Sequence, residues 1–165
     1  MAIRRLNHAV LFVHDAERAA RFYEDVLGFR KAFAMPGACF LVAPGSGNDH
    51  DLGLFSVGSQ AAVSAAGRGS VGLYHLAWEV ETLDDLTRLR ARLAEAGALV
   101  GQSDHSTTKS LYGRDRDGLE FEICWIVPGE LLTAADLAAR ERIEPLDLQA
   151  EIARFGADTP GRRGS

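Results

Sequence analysis

Two stretches of the chain decide the fold: LNHAVLFV at residues 6–13 and LYHLAWEV at residues 73–80. When the second is written under the first, the opening leucine, the histidine and the closing valine coincide. Each stretch is mostly apolar and has the length of a strand, and each precedes a turn and an amphipathic pattern. The chain therefore contains two copies of one structural unit, which predicts an internally duplicated fold.

Each copy continues with one predicted helix. In the first copy, Asp15 is a favoured N-cap residue and Gly28 is a favoured stop, so the helix lies between them. In the second copy, leucines recur at spacings of three and four over residues 83–96, and Gly97 follows.

Three short strands are predicted after each helix, because turn-forming residues separate short apolar runs. They cover residues 29–34, 39–43 and 51–55 in the first copy, and 98–103, 109–115 and 119–125 in the second. The order is βαβββ, twice. It predicts an α+β fold with a mixed sheet, built from modules at 3–56 and 71–127 within one domain over 1–128.

Residues outside the two modules form a connector, an extension and a tail. The connector at 57–70 is rich in small residues and is predicted to be flexible. Residues 129–156 are predicted to be a helical extension, with a capping-box pattern from Thr133 and an apolar helical pattern over 146–155. The tail at 157–165 is predicted to be disordered.

The composition excludes several classes of protein. Of 165 residues, 47% are hydrophobic and 25% are charged, which is typical of a globular chain. The net charge of −5 argues against a nucleic-acid partner. No stretch approaches the ~20 apolar residues of a membrane span, and the absence of an apolar run after Arg4 and Arg5 argues against a signal peptide. Cys39 and Cys124 lie in apolar runs, which predicts buried reduced thiols and a cytoplasmic protein.

Two of the five histidines occupy the same position in the two copies. His8 and His75 each share a strand face with apolar neighbours, where an imidazole needs a partner for its nitrogens. A single histidine of this kind is usually bonded to backbone, but the matched pair favours a shared metal site. His14, in the turn before the first helix, is predicted to be exposed.

A carboxylate on the last predicted strand is the third candidate ligand. Glu120 and Glu122 share a face of that strand, and a buried carboxylate needs a cation or donors to compensate it; the alternative is that this face is exposed. Two imidazoles and one carboxylate form the facial triad of non-haem Fe(II), although zinc hydrolases use the same set.

These residues resemble the vicinal oxygen chelate superfamily, which includes glyoxalases, bleomycin-resistance proteins and extradiol dioxygenases. The resemblance spans residues 3–127 and includes the turn DRDG at 115–118. It implies two βαβββ modules that form a half-open mixed β-barrel around a divalent metal. It also implies that His8, His75 and Glu122 are the metal ligands.

Within the superfamily, three segments look most like those of one-domain type I extradiol catechol dioxygenases: NDHDLGLF at 48–55, DHS at 104–106 and SLYGRD at 110–115. The resemblance implies three catalytic residues. His50 would be the acid–base histidine, Tyr112 would donate a hydrogen bond to the substrate, and His105 would support the site from outside the ligand set.

The chain departs from the family pattern at three positions. Arg116 replaces the usual proline, Leu119 replaces the usual asparagine, and Ser106 replaces the usual glycine after the supporting histidine. The large enzymes of the family contain four modules and this chain contains two, so the resemblance implies a homodimer.

The implied function is an Fe²⁺-dependent dioxygenase of aromatic degradation, with Mn²⁺ as an alternative metal and with a catechol-type substrate and O2 as partners. One alternative is a glyoxalase I-like isomerase or lyase with Zn²⁺ or Ni²⁺. That pattern needs a fourth ligand, and no glutamate occurs between Ala43 and Ser70. A bleomycin-resistance-like binding protein without metal is a third reading, which the histidines and the glutamate disfavour. Phe40, Phe55 and Trp78 either line an aromatic pocket or belong to the core.

Overall fold

The computed structural model describes residues 2–3, 5–66 and 69–162, and its elements follow the predicted βαβββ order twice. The first module contains β1 (Ala9–Val13), α1 (Ala16–Leu27), β2 (Arg30–Met35), β3 (Ala38–Val42) and β4 (Leu52–Ser56). The second contains β5 (Leu76–Glu79), α2 (Leu83–Glu95), β6 (Leu99–Asp104), β7 (Thr108–Arg114) and β8 (Glu120–Ile126). The extension contains a 3₁₀ turn (Gly129–Leu131), α3 (Ala134–Ala139) and α4 (Leu148–Phe155).

Each module forms one four-stranded mixed sheet, and the two sheets have the same topology. The strand orders are β1-β4-β3-β2 and β5-β8-β7-β6. In both sheets the first strand pairs in parallel with the last, and the other pairings are antiparallel. The predicted α+β fold of two βαβββ modules is confirmed.

The helices begin and end at the residues that their capping chemistry predicts. Asp15 accepts a hydrogen bond from the backbone N–H of Arg18, and α1 ends at Gly28 in the left-handed conformation with φ 78°. Thr82 and Asp85 form a capping box at the start of α2. The start of each helix and the end of α1 are therefore marked by local sequence, independently of tertiary packing.

The core of the first module lies between α1 and one face of its sheet. Val13 is buried on that face, whereas Phe12 is 73% exposed on the opposite one. In an alternating strand, successive side chains point to opposite faces. The strand face that is predicted to hold His8 and its apolar neighbours is thus exposed and is not part of the core.

The described chain divides into two compact units, and the division does not follow the modules completely. The first unit contains residues up to 65 together with 115–118, and the second contains the remainder. The turn 115–118 belongs to the first unit because its aspartates pair there. Tyr23 Oη donates to Asp115, and Arg18 forms an ion pair with Asp117.

His14 is partly buried, and the prediction that it is exposed is wrong. Its Nδ1 lies 2.5 Å from Asp117 Oδ1, and its Nε2 lies 3.1 Å from the carbonyl oxygen of Ala61. Both partners only accept hydrogen bonds, so together they favour the doubly protonated ring. The hydrogen bond to Asp117, and then the one to Ala61, raises the pKa of His14. Asp117 is remote in sequence, so local pattern does not reveal this contact.

The C-terminal tail is ordered up to residue 162, and the predicted disorder is wrong for residues 157–162. The N–H of Asp84 donates to the carbonyl of Ala157, and the N–H of Gly161 donates to that of Glu81. Trp125 Nε1 donates to the carbonyl of Thr159. The tail is held by backbone groups, which composition does not reveal. Residues 163–165 lie outside the described residues.

Two other predictions from composition concern cysteines and membranes. Cys39 and Cys124 are both buried free thiols, as predicted. Over the described ranges, no helix combines the length and the apolar character that a membrane crossing requires.

The contacts of His14 predict a pH-dependent contribution to stability. Because its folded pKa lies above the ordinary value, this contribution is complete below about pH 6.5 and is lost as the pH rises through the folded pKa. His14→Gln should remove it, so the difference in free energy of unfolding between wild type and variant should shrink as the pH rises. Urea unfolding at a series of pH values measures this difference.

Asp117→Asn provides the control for that measurement. It removes the charged acceptor and should return the pKa of His14, measured by NMR titration, toward its ordinary value. A stability difference that stays constant with pH would show that the His14 contacts do not have this effect.

Candidate functional site

The six predicted site residues fall into two groups, one in each unit. His8 and His50 lie in the first unit. The second unit contains His75, His105, Tyr112 and Glu122.

His75 and Glu122 are brought together by the parallel pairing of β5 with β8. His75 directly precedes β5, and the register places Ala77 opposite Glu122. The result is a separation of 3.0 Å between His75 Nε2 and Glu122 Oε2, with the side chains 25% and 13% exposed. Glu120 instead pairs with Arg114. The structure therefore separates the two glutamates, and Glu122 is the one beside a histidine.

Glu122 is also held from the neighbouring antiparallel strand. Ser110 Oγ donates to Glu122 Oε1 at 2.5 Å. On the same strand face, burial raises the pKa of Cys124 to about 12, and the charges of Glu122 and Glu79 raise it further. Burial also raises the pKa of Glu79. Cys124 is therefore a neutral thiol at neutral pH, and the face carries carboxylates that a cation would stabilise.

The His75–Glu122 pair fits part of a divalent metal site. Two donor atoms bound side by side at about 2.1 Å from one ion lie about 3 Å apart, as these two atoms do. Nitrogen and carboxylate donors suit iron, manganese and zinc. His75 Nδ1 is buried without a hydrogen-bond partner among the described residues. Among the same residues, neither unit by itself assembles three histidine, cysteine, aspartate or glutamate side chains that could hold a metal.

Tyr112 and His105 form a hydrogen-bonded group in the second unit. Tyr112 Oη lies 3.0 Å from His105 Nε2 and 3.1 Å from Ser103 Oγ, and Ser103 Oγ lies 2.9 Å from His105 Nε2. Tyr112 is the register partner of Glu122, and its ring centroid lies 6.1 Å from that of His75. These groups can exchange protons along one hydrogen-bonded chain. Ser103 was not predicted, although its position two residues before His105 was the available signal.

The turn after His105 keeps a glycine-like backbone although its residue is serine. Ser106 has φ 65°, and no other non-glycine residue of the described ranges has a positive φ. Its N–H donates to Asp104 Oδ1 at 2.6 Å. The departure from the family glycine therefore changes the residue but preserves the backbone conformation, at a steric cost.

In the first unit, His8 and His50 lie side by side. Their ring centroids are 4.6 Å apart. His50 Nδ1 lies 3.0 Å from Asp49 Oδ2, and His8 Nδ1 lies 2.8 Å from Asn7 Oδ1. Because both oxygens only accept hydrogen bonds, each Nδ1 is the donor, and in a neutral ring the lone pair is then on Nε2. In that neutral form, each Nε2 can bind a metal or accept a proton.

His50 is not the surface residue that its polar neighbours suggest. Its side chain is 18% exposed and meets the ring of Phe40 edge-on at 5.2 Å between centroids. Phe33 stacks on Phe40 at 4.3 Å. Phe12 and Phe33 also expose apolar surface in this unit. An aromatic surface beside an imidazole is suited to a planar apolar ligand.

Asp51, which sequence reasoning did not assign to the site, organises the loop that carries His50. Burial raises the pKa of Asp51, but hydrogen bonds from the Ala43 N–H, Asn48 and Ser46 outweigh that effect and lower it. The carbonyl oxygen of Asp51 accepts the N–H of Ala9, next to His8. Asp51 therefore fixes the loop beside β1, and its carboxylate is already committed to three donors.

Comparison with known proteins identifies a family for this arrangement. The model of the Glyoxalase/Bleomycin resistance protein/Dioxygenase superfamily matches residues 5–123. The chain is 30% identical over 118 residues to a catechol-2,3-dioxygenase of Bacillus subtilis (strain 168), which covers 72% of this chain and 40% of that protein. It is 32% identical over 120 residues to biphenyl-2,3-diol 1,2-dioxygenase 3 of Rhodococcus globerulus, which covers 72% and 62%. The chain thus spans less than two thirds of either relative.

Solved structures support the fold. A glyoxylase/bleomycin resistance protein/dioxygenase domain from Frankia sp. EAN1pec superimposes with a TM-score of 0.63 at 24% identity, covering 78% of this chain and 96% of that one. A lactoylglutathione lyase from Agrobacterium tumefaciens superimposes with a TM-score of 0.55 at 20% identity, covering 75% and 95%. At these identities the likeness concerns the fold alone.

The backbone at Ser106 leads to a stability prediction. A β-branched side chain is strained in the left-handed region, so Ser106→Val should lower the free energy of unfolding by about 1–2 kcal/mol. Ser106→Gly should not destabilise by more than about 0.5 kcal/mol, because glycine adopts this conformation without strain. Urea unfolding measures both. Thr107→Val, at a neighbouring position without a positive φ, is the control, and equal losses at the two positions would refute the strain argument.

Proposed function

Because the chain belongs to the Glyoxalase/Bleomycin resistance protein/Dioxygenase superfamily, we propose that it is an Fe²⁺-dependent extradiol dioxygenase that opens the ring of a catechol-type substrate with O2. The observation that carries the proposal is the contact between His75 Nε2 and Glu122 Oε2 beside a tyrosine–histidine pair. The relatives named as dioxygenases of catechol and biphenyl-2,3-diol support the reaction class.

His75 and Glu122 would hold the metal, with His8 as the predicted third ligand from its equivalent place in the repeat. Fe²⁺, with Mn²⁺ as the alternative, supplies open coordination positions and a path for electrons between an aromatic diol and O2. Ser110 keeps the Glu122 carboxylate in place through its hydrogen bond. The lone pair on His8 Nε2 is available because Asn7 takes the hydrogen on Nδ1.

The remaining candidates would bind substrate and carry protons. Tyr112 Oη would donate to a substrate oxygen, and His105 would supply or take up the proton through its contact with that hydroxyl. His50 would act as a base through Nε2, since Asp49 holds the Nδ1 hydrogen. The stacked Phe33 and Phe40 beside His50 suit an aromatic ring.

The isomerase alternative is supported by the similar fold of lactoylglutathione lyase. The glyoxalase I pattern, however, needs a fourth ligand, a glutamate, and β4 contains none. The strand β4 has the sequence LGLFS, and the neighbouring Asp51 carboxylate accepts three hydrogen bonds.

We extend the proposal to a cytoplasmic homodimer. The free thiols of Cys39 and Cys124 support a reducing compartment.

The ligand assignment predicts a difference between two glutamates on one strand. Glu122→Gln and His75→Ala should lose the iron that the purified wild type binds, because each removes a donor. Glu120→Gln should keep the iron, since Glu120 pairs with Arg114, and His14→Gln should keep it because His14 is bonded to Asp117 and Ala61. Metal analysis after reconstitution with Fe²⁺ measures this. Equal iron content in all four variants would overturn the assignment.

The reaction is tested separately on protein with iron confirmed bound. An oxygen electrode should record O2 uptake on addition of a catechol, with a yellow ring-opened product formed in equal amount. The absence of uptake across a panel of catechols would remove the dioxygenase proposal and leave the metal ligands as they are.

The role of His50 predicts a variant that retains metal and loses turnover. His50→Ala should keep its iron but turn over about 10²–10⁴-fold more slowly, the usual loss when a general acid or base is removed. His14→Gln is the control histidine and should keep full turnover. Normal turnover in His50→Ala would show that another group carries the proton.

A further inference from the structure

The C-terminal extension lies beyond the part of the chain that the family model matches, which ends at residue 123. It packs in the second unit, where α4 contacts α2. Two of its residues connect to Asp104, which directly precedes His105: Glu144 does so directly and Glu151 through Lys109.

The first connection is through the backbone. The N–H of Asp104 donates to the carbonyl of Glu144 at 2.8 Å, and the N–H of Glu144 donates to the carbonyl of Asp104 at 2.9 Å. The strand β6 is an edge of its sheet, so its outer N–H and C=O groups have no strand partner there. The extension therefore pairs with the edge strand at its last residue.

The second connection is a buried ion pair. The Lys109 side chain is only 1% exposed, and its Nζ lies 2.6 Å from Asp104 Oδ1 and 2.9 Å from Glu151 Oε2. A buried ammonium group needs counter-charges close to it. The helix α4 supplies one of the two carboxylates, and the ring centroid of its Phe155 lies 5.8 Å from Nζ. Lys109 thus joins α4 to Asp104.

Asp104 also bonds to the turn that carries His105. The oxygen that meets Lys109, Oδ1, also accepts the N–H of Ser106, on the other side of His105. This hydrogen bond joins the two residues on either side of His105, Asp104 and Ser106, and so restricts the backbone of His105. His105 Nε2 lies 3.0 Å from Tyr112 Oη.

We propose that the C-terminal extension is a positioning element, which sets the orientation of His105, and through it of Tyr112, by fixing Asp104. Lys109, Glu144 and Glu151 act through Asp104 and do not touch substrate. The consequence for turnover rests on the proposed function. The orientation of His105 does not, and it can be measured without any turnover.

The test compares two variants of one helix in the full chain. Glu151→Gln removes the charge that reaches Lys109, whereas Gln149→Ala changes an exposed side chain of the same helix. Glu151→Gln should shift the ring ¹⁵N resonances of His105 and lower kcat for catechol-dependent O2 uptake at least about tenfold, with KM changed less than about twofold. Gln149→Ala should change neither. Glu151→Asp, which keeps the charge, should restore part of the wild-type shift.

A second pair of variants keeps the test decisive if Glu151→Gln folds poorly. Glu144→Pro removes the N–H that donates to Asp104, and Glu144→Ala retains it. The His105 resonances should move in the first and stay in the second. Unchanged His105 resonances in both Glu151→Gln and Glu144→Pro would overturn the positioning role. Shifted resonances in a protein that consumes no O2 would uphold it and count against the proposed function.

Discussion

The parallel pairing of the first and last strands of each module is the constraint on which the candidate site depends. Because β5 lies directly beside β8, the histidine that immediately precedes β5 contacts the carboxylate on β8. In the other module, the same pairing of β1 with β4 brings His8 to the loop that carries His50. One topological rule thus accounts for both groups of residues.

Each sheet then divides its two faces between packing and chemistry. In the second sheet, the buried Leu111 and Trp125 alternate with Ser110 and Glu122 on the other face. Burying carboxylates there is unfavourable, as the raised pKa of Glu79 indicates. A divalent cation offsets that cost, so the electrostatics of this face favour the chemistry that the residue types suggest.

Most of the fold could be predicted from sequence because its signals are local and occur twice. Asp15, Gly28 and the Thr82 capping box mark helix ends wherever the chain goes. The repeat added what a single copy lacks, since it distinguished His8 and His75 from the other histidines. Contacts between residues far apart in the sequence could not be predicted in this way, because neither a local pattern nor the repeat marks them. The pairing of His14 with Asp117 and the docking of residues 157–162 join segments far apart along the chain.

By itself, the sequence determined the βαβββ duplication, the ends of both helices and the residue types of the candidate site, because strand periodicity, capping and residue chemistry are local properties. Only the tertiary structure decided that Glu122, the glutamate that the resemblance implies, contacts His75, that His50 lies among aromatic rings, and that the extension reaches Asp104. Those outcomes depend on strand register and on contacts between distant segments. They are selected by the packing of the whole chain, which no window of sequence contains.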